Sequence, residues 1–274
     1  MEILSILLSL ILTIISPAGF IADSAAEKAI RNQLESVEQL QVRIDNTPSY
    51  QLIQGKVDRI RIAGRGLYLK QDIRIDTLEI ETDPLNIDIK KLQQRRQNLD
   101  LSALRSPLNA GIRLVLTPED INRALKSPQL TNRLNNLTSS LAEGPEAEQI
   151  QRYQILNPRI QFLENNRLQF IVEIQEKGYP DQLTLDIQTG LIINQGKLQL
   201  SDLSILANQE PVPPRIARTL TQRINSRLNI QSIQNTQILL RFLKLNLTPE
   251  QLEIAAFVQA SPNSQQENKP ANLK

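Results

Sequence analysis

Residues 54–89, QGKVDRIRIAGRGLYLKQDIRIDTLEIETDPLNIDI, contain the clearest structural pattern of the chain. Apolar and polar residues alternate along it, and a period of two places the apolar side chains on one face of a β-strand. The pattern predicts antiparallel strands with one buried and one solvated face. The alternation slips by one residue at Thr77, which indicates a β-bulge or a bend in a curved sheet. The alternating apolar positions are Ile60, Ile62, Ile73, Ile75, Leu78, Ile80, Leu85, Ile87 and Ile89.

On the N-terminal side of this stretch, apolar residues recur at helical spacing from Ala22 to Leu40, through Ile30, Leu34 and Val37. Charged residues occupy the opposite face, which is typical of a surface helix that packs on a core. We therefore predict a long N-terminal helix packed on the sheet. Period two returns at Val42 and predicts the first strand.

On the C-terminal side, a strand carrying Leu114 and Leu116 leads into Thr-Pro-Glu-Asp at 117–120. An N-cap residue, a proline and two acids in this order are a helix start, and we predict that this helix runs to about Leu137. A second set of alternating strands follows between residues 168 and 200. Two more strands, 238–247 and 252–258, are predicted to close the domain.

A cationic segment lies between Pro211 and Pro249, where six basic residues occur without any Asp or Glu, although the chain as a whole has a net charge of +2. Its first part predicts an amphipathic helix with Ile216, Leu220 and Ile224 on the apolar side. The basic side could be an ordinary solvated face, but such faces usually carry acids for i,i+4 pairing. A purely basic face is typical of a helix that meets an anionic surface. The helical basic residues are Arg215, Arg218, Arg223 and Arg227.

The composition excludes most catalytic chemistry. The sequence has no His and no Cys, so Ser-His-Asp and Cys-His catalysis, disulfides and the usual zinc sites are excluded, and we predict neither a metal nor a cofactor. General acid/base catalysis would have to use Asp, Glu, Lys or Tyr, and the candidate carboxylates, such as Asp76 and Asp83, belong to an acidic cluster that the strand pattern places mostly on a solvated face. We therefore predict a non-enzymatic protein. Aromatic residues are 3% of the chain and Trp is absent, so any pocket is aliphatic and suits acyl chains.

The N-terminal stretch Ile3–Ala22 is apolar and has no charged residue. It fits three interpretations: an export signal, an uncleaved membrane anchor, or an apolar helix buried in the domain. Glu2 and the absence of Lys and Arg before the stretch are unlike an export signal, so the side of the membrane stays open. We divide the chain into this segment (1–22), one domain (23–259) and a polar tail (260–274) whose composition predicts disorder.

Three motifs, the stretches 54–67 and 75–84 and the Leu-Thr-Pro-Glu-Asp run at 116–120, resemble the LmeA-like phospholipid-binding family, formerly a domain of unknown function, and most closely its cyanobacterial branch. The resemblance covers roughly residues 22–260. It implies a fold similar to the tubular lipid-binding domains of the bactericidal/permeability-increasing type, in which a curved antiparallel sheet wraps a long helix and leaves an apolar groove. It also implies an envelope protein that binds phospholipid. These motifs are strand patterns, so the resemblance does not identify individual binding residues.

These observations predict an α+β protein that binds or transfers phospholipid at a membrane, with the head group, expected to be anionic, at the four arginines of the cationic helix. Acyl chains would lie between the apolar sheet faces and the two helices. The alternative is a membrane-tethered scaffold with a filled core and no ligand, and periodicity cannot separate the two. The predicted acyl-chain residues are Ile30, Leu34, Val37, Leu114, Leu116, Ile216, Leu220 and Ile224.

The predicted partners are therefore a phospholipid and a membrane. Nucleic acid is not expected, because the net charge is small and few aromatic residues are available to stack on bases. The resemblance favours the envelope or periplasmic side, and the cytoplasmic face is the alternative. The sequence leaves the oligomeric state open.

Overall fold

The computed structural model describes residues 23–47, 49–94, 101–141, 152–228 and 238–262. The predicted N-terminal segment, 1–22, and residues 263–274 of the predicted tail lie outside the described residues. The helices within these ranges are α1 (Asp23–Arg31), α2 (Ile89–Gln94), α3 (Pro118–Leu125), α4 (Pro128–Leu141) and α5 (Pro214–Leu228). The strands are β1 (Ser36–Asp45), β2 (Lys56–Val57), β3 (Arg59–Lys70), β4 (Ile73–Thr82), β5 (Leu85–Asn86), β6 (Leu108–Leu116), β7 (Tyr153–Leu163), β8 (Arg167–Glu176), β9 (Gln182–Asn194), β10 (Lys197–Ala207), β11 (Glu210–Pro211), β12 (Ile238–Leu247) and β13 (Leu252–Ala260).

Six strands form the first antiparallel sheet, in the order β1-β3-β4-β6-β13-β12. The apolar face of this sheet is closed: Ile60 and Leu78 are fully buried beneath α1 and beneath the segments that connect β1 to β3 and β4 to β6. The prediction of an α+β class with antiparallel sheets is confirmed. The predicted strand Leu85–Ile89 is shorter than expected, because the Asp88 carboxylate accepts hydrogen bonds from the Lys90 and Lys91 amides and begins α2.

The long helix predicted from Ala22 to Leu40 was wrong beyond Arg31, where α1 ends. Residues 36–45 form β1 instead, and Val37 and Leu40 pair with Leu67 and Gly64 of β3. The helical spacing of these residues is overridden by sheet pairing, since Leu40 and Val42 become buried at alternate positions of a strand. The tubular arrangement implied by the resemblance stays a prediction.

Near Thr77, where the slip is predicted, the buried side chains change from one face of the sheet to the other. Three neighbouring strands make this change together. Register is continuous there, with Arg65 paired to Thr77 and Leu67 paired to Ile75, so the slip is not a bulge. The central strand makes the change at Gly66, whose φ of 58° lies in the left-handed region that glycine adopts without strain. A Cβ at this position would also overlap the Glu38 side chain of β1.

Five strands form the second antiparallel sheet, a meander in the order β11-β10-β9-β8-β7. It confirms the second set of predicted strands. The helix predicted to run from residue 118 to about Leu137 is two helices, α3 and α4. The break precedes Pro128, which has no amide hydrogen to donate, and the Ser127 hydroxyl accepts a hydrogen bond from Leu130 N at 3.3 Å to begin α4.

The two sheets meet along β12. Phe242 N donates to the Gly196 carbonyl at 2.8 Å, and Leu247 N donates to the Asn166 side-chain oxygen, also at 2.8 Å. Both acceptors lie in tight turns of the second sheet. A small apolar cluster that contains Phe162 and Leu191 packs against Leu247 at the same junction. The turns of one sheet therefore cap the outer strand of the other.

Helix α3 is fixed on the first sheet by a partly buried ion network around Arg74. The guanidinium donates to Asp120 at 2.7 Å, to Glu38 at 3.1 Å and to Asp76 at 3.3 Å. The Asp120 side chain is 2% exposed and that of Arg74 16%. Burial alone would lower the pKa of Arg74, but the hydrogen bonds to Glu38 and Asp120 raise it above its usual value.

Replacing Arg74 by Met should lower the free energy of unfolding by about 3 kcal/mol, because the buried Asp120 carboxylate loses its closest charge partner. Among the described residues it would keep Arg123, 3.7 Å away. Arg59→Met is the matched control on the same sheet, since Arg59 and Glu81 are about half exposed and their pair is worth at most about 1 kcal/mol. Urea unfolding of both variants measures the difference, and equal losses would contradict the prediction.

Candidate functional site

The second sheet has one apolar face and one polar face. Register places Phe170 between Ile160 and Ile187 on the apolar face, and it places Val172 beside Leu185. The opposite face carries glutamines and acids that bond to one another, such as Gln169 Nε2 to Asp186 at 2.7 Å. The apolar face is formed by Ile155, Ile160, Phe162, Leu168, Phe170, Val172, Ile174, Leu183, Leu185, Ile187, Leu191, Leu198, Leu200 and Ile205.

Helices flank this sheet at its two edges, and an asparagine amide fixes each of them. On the β7 side, Asn122 of α3 donates to the Ile160 carbonyl at 2.8 Å and accepts from Ile160 N at 2.8 Å. On the β10 side, Asn225 of α5 donates to the Leu200 carbonyl at 3.1 Å and accepts from Leu200 N at 2.7 Å. Each amide therefore satisfies both backbone groups of one residue whose outer side has no strand partner, since β7 is an edge strand and β11 pairs with β10 only at Leu206 and Ala207. These bonds also block pairing with another chain.

Most side chains on the apolar face of the central strands β8 and β9 are only partly covered, although Val172 and Leu191 are buried. The main helix contacts are α5 with β10, and α3 and α4 with β7. Phe170, Ile174 and Ile187 are consequently partly exposed, and Leu183 is 39% exposed. The first sheet, by comparison, has a core of fully buried side chains such as Ile60 and Leu78, with partly buried residues such as Leu114 and Ile238 packed around it. An apolar strip bordered by α5 on one side and by α3 and α4 on the other is the candidate site; we call it the groove.

The predicted acyl-chain residues fall into two separate groups. Ile30 and Leu34 are buried in the closed core of the first sheet, and Val37, Leu114 and Leu116 pack against that core. The other group, Ile216, Leu220 and Ile224, lies on α5 beside the groove, where Ile216 is 48% exposed. The structure therefore does not bring the two groups together.

The predicted cationic segment is also divided. Arg215 and Arg218 are exposed on α5 and Arg223 is partly buried, whereas the Arg227 side chain lies outside the described residues. Arg241 and Lys244 lie on β12 instead. Lys244 forms an ion pair with Glu253 of β13 at 3.5 Å, so its charge is balanced locally.

The acidic residues of β4 are paired along the first sheet. Glu79 lies 3.2 Å from Arg113, Glu81 lies 3.1 Å from Arg59, and Asp76 belongs to the Arg74 network. In the described part of the chain, no group of three or more His, Cys, Asp or Glu side chains is arranged to hold a metal ion. Nor do the described ranges contain a helix that is long and apolar enough to span a membrane.

Sequence reasoning missed the residues that shape the groove. Asn122 and Asn225 each follow an apolar helix position, and a polar amide at such a position is the one local sign that it bonds to a neighbouring strand. The apolar periodicity of β8 and β9 was visible in the sequence. Whether a helix would cover Phe170 or Ile187 was not, because it depends on contacts with residues far away in the chain.

A comparison with known protein families gives one match. The family model described as LmeA-like phospholipid-binding matches residues 15–257, which is most of the chain. The matched region contains the second sheet, the groove, the five described α-helices and the first sheet up to Phe257 of β13. No curated protein and no solved structure matches this chain.

Replacing Asn225 by Ala should loosen α5, because the Leu200 amide and carbonyl lose their side-chain partner at a cost of about 1–3 kcal/mol. We expect faster amide hydrogen exchange in α5 and at Leu200, measured by mass spectrometry, with little change in the first sheet. Asn194→Ala is the control, since its amide bonds only to Gln199 among the described residues, at 3.3 Å on the polar face. Unchanged exchange in α5 would argue against this anchoring role.

Proposed function

The chain belongs to the LmeA-like phospholipid-binding family, and on this premise we propose that it is a non-catalytic phospholipid-binding or lipid-transfer protein that works at a membrane. The proposal places the acyl chains in the groove of the second sheet and the head group beside α5. It assigns the closed core of the first sheet a structural role.

The observation that carries this proposal is the unequal covering of two similar sheets. Apolar surface left in water costs roughly 25 cal/mol per Å², so a chain gains stability by covering it. The first sheet covers its apolar face with α1 and with the connections between its own strands. The second leaves Phe170, Ile187 and Leu183 partly exposed on its apolar face, on either side of the buried Val172, and exposed apolar surface of this kind is typical of a site that receives a ligand.

The chemistry of the groove fits an acyl chain. Its floor is formed by Leu and Ile with Phe170, and it contains no Trp, so it offers dispersion contacts rather than stacking. Each methylene group buried there would contribute about 0.8 kcal/mol. The apolar side of α5, with Ile216, Leu220 and Ile224, would be the wall next to the chain.

The head group would meet the basic side of α5. Arg215, Arg218, Arg223 and Arg227 lie on the helix that borders the groove, and the sequence between Pro211 and Pro249 contains no Asp or Glu. A guanidinium binds phosphate oxygens through paired hydrogen bonds, and each basic residue near an anionic surface contributes about 1 kcal/mol. We therefore propose an anionic phospholipid. The apolar N-terminal stretch and the family together favour the envelope side of the membrane.

A charge placed in the groove should abolish lipid binding. In the variant Ile187→Asp the carboxylate would have to be buried beside the acyl chain, so we expect the full-length protein to lose co-purifying phospholipid in native mass spectrometry. Gln188→Asp is the matched control, because it adds the same group to the neighbouring residue on the polar face. Wild-type protein that carries no lipid, and takes none up from mixed liposomes, would instead favour the ligand-free scaffold.

Reversing Arg215 and Arg218 to Glu should weaken binding to phosphatidylglycerol vesicles by more than about tenfold and leave phosphatidylcholine vesicles unaffected, since four units of charge change at the surface. The effect should fade in high salt, because exposed charges are screened. Reversal of Arg152 and Arg159, exposed basic residues at β7, is the matched control. Vesicle flotation measures the binding, and equal loss on both vesicle types would contradict the head-group role.

A further inference from the structure

Neither the backbone conformation nor the packing around Gly111 requires a glycine at this position. It lies within β6, in the middle of the first sheet, where glycine is less favourable than a larger residue. Its φ is not in the left-handed region, and a Cβ there would approach no described atom more closely than the Glu81 carbonyl oxygen at 4.0 Å. Each of the other described glycines has either a positive φ or an atom within 3.0 Å of that position.

The space above Gly111 belongs to an open trough of about 530 Å³ on the charged face of the first sheet. Small residues form its floor, namely Ala63, Gly111 and Ala255 from three different strands. Leu243, which is 61% exposed, stands at its rim. A volume of this size is typical of a small-molecule site. Its charged lining consists of Arg43, Arg61, Arg113, Glu79 and Glu81.

Two guanidinium groups stand side by side at one end of the trough. Arg43 and Arg61 are cross-strand partners, and both donate to the Asp45 carboxylate. Hydrogen bonding from Arg61, against the opposing effect of burial, lowers the pKa of Asp45, and Arg43 lowers it further. The Asp45 carboxylate therefore pairs with two guanidinium groups. The Arg61 Nε atom is buried without a hydrogen-bond partner among the described residues, so a donor is left over.

The charges of the ionic groups around the trough nearly cancel. The ion-pair networks that contain the lining residues comprise five cations and four carboxylates, because Glu253 pairs with Lys244 as well as with Arg113 of the lining, and this leaves one positive charge. A polyanion would be repelled by the glutamates of the lining, whereas a singly charged anion would make the cluster neutral. The five cations are Arg43, Arg59, Arg61, Arg113 and Lys244, and the four carboxylates are Asp45, Glu79, Glu81 and Glu253.

We propose that this trough is a second binding site, for a phosphate diester. A diester carries one negative charge, its phosphate oxygens match the fork of donors on Arg43 and Arg61, and its organic part would lie over the methyl groups of Ala63 and Ala255. The same chemistry occurs in a soluble glycerophosphodiester and in the head group of a membrane phospholipid. The site lies on the other sheet from the groove, so the two proposals can fail independently.

Isothermal titration of the full-length protein with glycerophosphoglycerol tests the site. Gly111→Leu adds a side chain to the floor of the trough, where its Cβ would approach no described atom more closely than 4.0 Å, and Arg61→Gln removes one of the two guanidinium groups, so each should weaken binding at least about tenfold. Ser204→Leu, which adds the same side chain at an exposed position of β10, should bind like the wild type. Inorganic phosphate should bind more weakly than the diester, because it makes no contact with the floor.

The proposal is overturned if wild-type protein gives no binding heat with the diester, or if Gly111→Leu and the wild type bind it equally while circular dichroism shows both folded. Flotation with phosphatidylglycerol vesicles then identifies the source of the ligand. A loss of flotation in Gly111→Leu indicates a lipid head group, and unchanged flotation indicates a soluble diester. Co-purified phospholipid in the groove should be the same in Gly111→Leu and in the wild type, which separates this test from that of the groove.

Discussion

An antiparallel sheet with one apolar face must have that face covered, and the organisation of this protein follows from how its two sheets meet this requirement. The six-stranded sheet is covered by α1 and by the connections between its own strands, so that Ile60 and Leu78 are fully buried. The five-stranded sheet has helices at its two edges, and its middle strands keep partly exposed apolar residues. One sheet is therefore a stable base, and the other is a surface that a ligand with acyl chains would complete.

Hydrogen bonds, together with apolar packing such as that of Ile121 against the cluster of Phe162 and Leu191, position the helices on the second sheet. Edge strands present backbone groups that need partners, and Asn122 and Asn225 provide them from α3 and α5. A helix that bonds to an edge strand in this way cannot also lie across the middle of the sheet. The same bonds that satisfy the sheet edges therefore keep the groove open, and the ion network of Arg74 holds α3 on the first sheet at the same time.

Charge is distributed differently on the two sheets, although the whole chain is close to neutral. On the first sheet, bases and acids pair across neighbouring strands, as Arg113 does with Glu79 and Glu253. Helix α5 has basic residues without acids nearby in the sequence. A surface on which positive and negative charges nearly balance suits selective binding of a small ligand with a low net charge. A surface with an excess of positive charge suits attraction to an anionic membrane. The two proposed sites therefore differ in their charge balance, and this difference comes from the residues around each site.

The class of the fold, most strands, the basic helix and the family were predictable from the sequence, because periodicity and residue type are local properties of the chain. The sequence did not determine where α1 ends: Val37 and Leu40 fit a helix by spacing, and their pairing with Leu67 and Gly64 made them a strand. Tertiary structure alone decided that Ile30 and Leu34 lie in a closed core while Ile216 and Leu220 border an open groove. It also placed Gly111 beneath a trough. The physical reason is that an alternating pattern records which face of a strand is apolar, whereas the covering of that face depends on contacts such as that of Asn225 with Leu200, 25 residues apart, which no local pattern contains.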